Sequence, residues 1–179
     1  MKASSWMAVV GHRAIAAVIL AGALVATTGG PALADSDDSD RNAKLVGAWS
    51  VQVTPRNCAT AAPLGATFNA LVTFHRGGTL SEAAGSLAFA PGQRSPGTGT
   101  WDREGPHVYR QRHVAMILFD TPANIPFSPG FFAGWATVSH TLELTDADHF
   151  TSAGTNEFHK LNGDVYRSGC STAVGQRFE

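Results

Sequence analysis

In the stretch LVGAWSVQV, residues 45–53, apolar and polar side chains alternate from Trp49 onward. In an extended strand, successive side chains point to opposite faces. Trp49, Val51 and Val53 therefore share one face, whereas Ser50 and Gln52 share the other. Alternation of this kind is typical of a β-strand that packs one face against a core. The stretch predicts a first strand whose tryptophan points inward.

The same alternation recurs along most of the remaining chain. Seven further strands are predicted within residues 66–76, 77–83, 97–105, 107–120, 132–144, 150–160 and 165–178. Short turn signals separate many of them, including Gly77-Gly78 and Asn162-Gly163, and the second pair is among the strongest hairpin signals. Eight sequential strands form a meander, and closing a meander into a barrel removes its exposed edges. We therefore predict an all-β, eight-stranded antiparallel up-and-down barrel, with an open sandwich as the alternative.

Two connections are too long to be tight turns. Residues 84–97 and 121–130 are both rich in proline and glycine. Long loops on a rigid scaffold frequently carry function. We expect both loops at one mouth of the barrel.

The N-terminal segment has the features of an export signal. Residues 14–28 carry no charge, and Ala32-Leu33-Ala34 gives the small-x-small pattern that signal peptidase cleaves. This apolar run is shorter than the roughly 20 residues that span a bilayer, although an uncleaved anchor helix is the alternative. The interpretation is a signal peptide at 1–34, an acidic disordered tail at 35–44 and a barrel domain at 45–179. It predicts an exported protein, periplasmic or extracellular.

The charge balance limits the partners. Cleavage would remove Lys2 and Arg13 and leave 11 basic and 14 acidic residues. Nucleic acids and anionic membranes favour clustered basic residues, so neither is expected as a partner. No stable membrane insertion is expected after cleavage.

Both cysteines lie in the predicted barrel domain. An even number of cysteines in an exported chain favours a disulfide, so we predict a Cys58–Cys170 bond. The alternatives are a metal-binding pair or a catalytic thiol, but neither cysteine has a CxxC partner. A bond closing a loop of about 100 residues stabilises by up to about 4.7 kcal/mol in the chain-entropy model.

The Gly-x-Trp at the start of the first strand, the eight-strand meander and a late arginine in GQRFE resemble the lipocalin-like calycins, here of the exported bacterial type. The resemblance implies that Gly47 and Trp49 form the closed floor of the barrel. It also implies that Arg177 stacks on the indole, a cation–π contact of about 0.5–2 kcal/mol. The alternative is that Trp49 is an ordinary core aromatic of another β-fold.

Three functions are compatible with such a barrel. The first is binding of a small apolar molecule in a cavity lined by Phe68, Val72, Phe74, Met116, Val138, His140 and Phe158. The second is a cyclase or isomerase that uses His140, which occupies an apolar strand phase, as a general acid or base. The third is a packed barrel that acts through its surface. We predict no cofactor and no metal site, because no motif of metal-binding or nucleotide-binding spacing occurs.

Overall fold

The computed structural model describes residues 44–124 and 129–178. The predicted signal peptide at 1–34 and nearly all of the predicted acidic tail at 35–44 lie outside these residues. Within the described ranges there is no helix long and apolar enough to cross a membrane.

Eight strands make up the fold. They are β1 (Gly47–Arg56), β2 (Phe68–Phe74), β3 (Thr79–Ala84), β4 (Gly97–Arg103), β5 (Val108–Ile117), β6 (Gly134–Leu144), β7 (His149–Lys160) and β8 (Val165–Arg177). Each strand pairs antiparallel with the next, and β1 pairs with β8 to close the barrel. The sequence prediction of a closed, eight-stranded antiparallel barrel is confirmed.

The two ends of the barrel differ in their connections. Residues 75–78, 104–107 and 145–148 make short turns at one end, which we call the floor. Gly77 and Gly78 there have φ angles of 88° and 82°, which favour glycine. The opposite end, which we call the mouth, carries the longer connections that follow β1, β3 and β5.

Trp49 is the centre of the floor. Its side chain is fully buried, and Nε1 donates a hydrogen bond of 2.9 Å to the carbonyl of Leu45. The ring of Phe150 lies 5.0 Å from the indole centroid. Leu45, Phe74 and Trp101 belong to the same buried cluster. The floor is therefore a closed apolar layer.

Arg177 covers the outer side of this layer. Its guanidinium carbon lies 4.4 Å from the centre of the Trp49 ring. The same guanidinium donates hydrogen bonds to the carbonyls of Lys44, Val46 and Ala147. A Cβ at Gly47, whose φ is 138°, would lie only 2.6 Å from Arg177 Nη1. Glycine at position 47 thus leaves the space that the guanidinium occupies.

The two proline- and glycine-rich loops meet at the mouth. Gln93 Nε2 in the β3–β4 loop donates to the carbonyl of Phe119 at 2.8 Å and to Thr121 Oγ1 at 3.1 Å, both in the β5–β6 loop. Phe89 stacks on Phe131 across the same junction, with 4.4 Å between ring centroids. These contacts hold the described parts of the loops together over one end of the barrel.

A disulfide joins Cys58, just after β1, to Cys170 on β8. The Cα atoms lie 5.1 Å apart, and 112 positions separate the two residues in sequence. The predicted bond is confirmed. It lies at the mouth end of the contact between the first and last strands, where Arg56 pairs with Cys170.

Candidate functional site

A cavity of about 120 Å³ lies inside the barrel. On the floor side it is bounded by the Trp49 cluster, through residues such as Val51, Val72 and Phe74. On the mouth side it is bounded by a second apolar cluster that includes Phe89 and Phe158. The cavity therefore separates two apolar layers that do not merge into one core.

Glycines on inward-facing strand positions leave room for the larger polar side chains. A Cβ at Gly97 would lie 2.7 Å from Glu82 Oε2 and 3.0 Å from the ring of His113. A Cβ at Gly154 would lie 2.5 Å from the ring of His140. Real Cβ atoms do not approach other heavy atoms so closely, so larger residues at these positions would displace the polar groups.

Arg94 and Glu82 form a buried ion pair in the wall of the cavity. Arg94 Nη2 lies 2.9 Å from Glu82 Oε2, and the two side chains are only 10% and 7% exposed. Despite the short distance, Glu82 Oε2 accepts no aligned hydrogen bond from the described residues. The contact is therefore mainly coulombic, and the carboxylate oxygen keeps accepting capacity.

His140 is held on both sides by hydroxyl groups. Its Nδ1 lies 3.1 Å from Ser152 Oγ, and its Nε2 lies 2.9 Å from Ser171 Oγ. Burial lowers the pKa of His140 to about 4, because the charged imidazolium would lose its hydration. At neutral pH the ring is therefore uncharged and its two nitrogens are engaged with the serines.

Four buried polar side chains that line the cavity, Glu82, Gln111, His113 and His140, form what we call the polar belt. The hydrogen bonding of His113 differs from that of His140. Its Nδ1 is buried and has no hydrogen-bond partner among the described residues. Burial first, then the positive charge of Arg94, then His140, lower the pKa of His113 to about 4. His113 is thus neutral at pH 7, and one ring nitrogen is available to a ligand.

Six of the seven residues predicted to line the pocket do so in the structure, and one does not. Six of them line the cavity: Phe68, Val72, Phe74, Val138, His140 and Phe158. Met116 does not line it, and the prediction for this residue is wrong. Tyr109 and Ile117 fix the inward phase of β5 at odd positions, so Met116 points outward and is 46% exposed.

The sequence interpretation missed much of the polar lining, namely Glu82, Arg94, Gln111, His113, Ser152, Asn156 and Ser171. A signal for Glu82 is present, because it shares a strand phase with the apolar Leu80 and Ala84. Gln111 and His113 likewise share the phase of Tyr109 and Ile117. Arg94 carried no such signal, since it comes from a loop.

The residues of the mouth form an aromatic cover. Phe131 lies 5.1 Å from Phe158, in addition to its stacking on Phe89. The guanidinium of Arg167 lies 4.8 Å from the centre of the Phe131 ring. A molecule that enters the cavity from this end would have to displace or pass these rings.

Within the described residues, no group of three or more His, Cys, Asp or Glu side chains is placed to hold a metal ion.

No protein-family model matches the chain, and no curated protein matches its sequence. A solved structure does match: EF1p2_mFAP2b bound to DFHBI, with 14% sequence identity and a TM-score of 0.53. The alignment covers 79% of this chain and 99% of that chain. At this identity the similarity shows the fold alone. Together with the closed eight-strand topology, it shows an eight-stranded antiparallel β-barrel fold.

Proposed function

We propose that the barrel binds a small, predominantly apolar molecule in its internal cavity. The observation that carries this proposal is the cavity of about 120 Å³ between two apolar layers. Ligand sites are typically concave, mostly apolar and supplied with a few placed polar groups, and this cavity has that composition. The structural neighbour, itself bound to DFHBI, supports small-molecule binding by a barrel of this kind.

The volume limits the size of the ligand. Sites for drug-sized molecules are roughly 300–1,000 Å³, whereas an apolar cavity of about 150 Å³ can hold benzene. A cavity of about 120 Å³ suits a molecule on the scale of one six-membered ring. A larger ligand would require displacement of Phe89 and its loop.

We further propose a lipocalin-like protein that acts outside the cytoplasm, in the periplasm or the extracellular medium. The apolar segment at 14–28 followed by Ala32-Leu33-Ala34 supports export, and the Cys58–Cys170 bond is compatible with an oxidising compartment. N-terminal sequencing of the protein recovered outside the cytoplasm tests this part. The expected first residue is Asp35, and a retained Met1 would contradict cleavage.

The geometry of His140 favours binding over an isomerase or cyclase. Both ring nitrogens are within hydrogen-bond distance of serine hydroxyls, and burial lowers the pKa of the ring to about 4, which makes it a weak base at pH 7. This arrangement is what a structural histidine requires. The cavity itself argues against a packed barrel that acts only through its surface.

Native mass spectrometry of protein purified from its producing cells tests the binding proposal. We expect a bound small molecule that is lost from Ala136→Leu, because Ala136 lines the cavity and is 3% exposed. Ala153→Leu is the matched control, since it adds the same side chain on the outer face of β7. Equal ligand retention by Ala136→Leu, with unchanged circular dichroism, would place binding elsewhere.

A further inference from the structure

Unpartnered polar atoms collect around the cavity. Three buried side-chain atoms that line it have no partner among the described residues: Gln111 Oε1, His113 Nδ1 and Asn156 Oδ1, while Glu82 Oε2 is held only by its ion pair with Arg94. The two amide oxygens and the carboxylate oxygen of Glu82 can only accept hydrogen bonds. A buried polar atom without a partner is unfavourable, so a cluster of them around a cavity is consistent with a bound molecule that supplies the missing partners.

Three of these polar side chains, Glu82, Gln111 and His113, lie on adjoining inward positions of the barrel wall. Glu82 Oε2 and the His113 ring flank Gly97, where β4 contributes no side chain. Gln111 is two residues before His113 on β5 and points to the same inside face. All three side chains are 6–7% exposed. They form one polar patch in a cavity whose remaining walls are mainly apolar.

The charges of this patch cancel. The negative charge of Glu82 is paired with the positive charge of Arg94, whose Nη2 lies 2.9 Å from Glu82 Oε2. His113 and His140 are neutral at pH 7, since the pKa of each is lowered to about 4. A bound anion would need a positive charge that is not already paired, because a buried charge without a partner is strongly unfavourable.

We propose that the ligand is a neutral molecule with an apolar body and a hydrogen-bond donor, such as a hydroxyl or N–H group, that is directed to Glu82, Gln111 and His113. This inference rests on the proposed function and specifies its ligand class. The apolar body lies among Val51, Val72 and Ala136, and the donor lies against the patch. A carboxylate-bearing ligand is disfavoured, because it would bring a second negative charge beside Glu82.

The test compares three probes of one ring size in titrations of the mature protein followed by NMR at pH 7. Phenol carries a donor and is neutral, toluene has nearly the same shape without a donor, and benzoate is an anion. A hydrogen bond to a charged acceptor contributes about 1.5–3 kcal/mol, so phenol is expected to bind at least about tenfold more tightly than toluene. Benzoate is expected to bind more weakly than phenol.

Glu82→Gln assigns the selectivity to the patch. It removes the negative charge but keeps the side-chain shape, so Arg94 becomes available to an anion and the preference should shift from phenol toward benzoate. Glu143→Gln, an identical change on the outer face of β6, should leave the ranking of the three probes unchanged. Gln111→Leu removes an unpartnered acceptor without exposing a charge, so it provides a second variant if Glu82→Gln does not fold. It should reduce the advantage of phenol over toluene.

The outcomes separate this inference from the proposed function. Toluene or benzoate binding as tightly as phenol would overturn the donor assignment and leave apolar binding in the cavity intact. If none of the three probes binds at concentrations up to about 10 mM, on the order of the weakest measurable complexes, both the donor assignment and the proposed binding function are overturned. An unchanged ranking in Glu82→Gln would remove Glu82 from the patch.

Discussion

The floor and the polar belt of this barrel are both buried, yet they are built in opposite ways. At the floor, Trp49 is fully buried, its one donor is satisfied by Leu45, and Arg177 closes the outer side. In the belt, Gln111 and His113 are nearly as deeply buried but retain unpartnered atoms, and Glu82 is held only by its ion pair with Arg94. The comparison separates burial that stabilises the fold from burial that leaves hydrogen-bonding capacity unused by the described residues.

The connections follow the same division. Short turns surround the floor, whereas three of the four connections at the mouth are long, and the β3–β4 and β5–β6 loops meet through Gln93 and the Phe89–Phe131 stack. Small domains retain few unsatisfied buried groups unless function requires them. Substitutions at the floor should therefore change stability more than binding, and substitutions near the belt should do the reverse.

The largest expected effect of a single substitution is at the floor. Trp49→Ala removes a buried indole and the donor for the Leu45 carbonyl, so it should lower the free energy of unfolding by about 3–5 kcal/mol. Phe89→Ala at the half-buried mouth is the matched aromatic truncation and should cost about 1 kcal/mol. Urea unfolding of both variants measures the difference. Equal costs would contradict the division between floor and mouth.

Acidification should act on the belt rather than on the floor. Because the pKa values of folded His113 and His140 are lowered to about 4 from 6.5, the unfolded chain binds more protons between these pH values. Stability is then fully present above about pH 6.5 and falls as the pH drops toward 4, by on the order of 3 kcal/mol for each histidine.

Thermal unfolding as a function of pH measures this dependence. His113→Gln should flatten the curve between pH 6.5 and 4, whereas His75→Gln, at an exposed position, should leave it unchanged. A wild-type stability that is constant over this range would contradict the assignment of two neutral buried histidines.

The disulfide should contribute next. Cys58→Ser removes the only covalent link between the β1–β2 loop and β8 within the described chain, and loss of such a bond typically costs about 2–4 kcal/mol. Calorimetry of the variant should show a lower Tm than the oxidised wild type. Cys170→Ser should give the same Tm within error, since either substitution breaks the same bond, and unequal shifts would indicate a separate role for one residue.

The smallest expected effect is that of replacing Arg177, which covers the outer side of the floor. Arg177→Ala should cost about 1–2 kcal/mol, because the guanidinium is partly exposed although it stacks on Trp49 and donates to three backbone carbonyls. The costs of Trp49→Ala and Arg177→Ala should not add in the double variant, because each removes the same contact. Additivity within about 0.5 kcal/mol in a urea-based double-mutant cycle would mean that the two side chains are not coupled.

The alternation of apolar and polar side chains along the chain was sufficient to predict the strands of the barrel, because each strand needs one face in the core. The same period could have placed Glu82 and His113 inside, since each shares a phase with apolar neighbours. Met116 shows the converse failure: an apolar side chain was assigned to the cavity by its chemistry, although the strand phase directs it outward. Arg94 was beyond prediction from periodicity, because a loop has no fixed phase and its position depends on the ion pair with Glu82.

The pairing of β1 with β8 also has a consequence for how fast the chain folds. Every other strand pair joins neighbours in sequence, but this pair joins Trp49 to Arg177 and Arg56 to Cys170. Pairing over such a separation carries a large loop-closure entropy, which slows folding in proteins rich in distant contacts. A Cys58–Cys170 bond formed in the unfolded chain would bring the ends of both strands together beforehand. The oxidised chain is therefore expected to close its barrel faster than the reduced chain, so oxidation would set the rate of folding as well as the stability of the folded state.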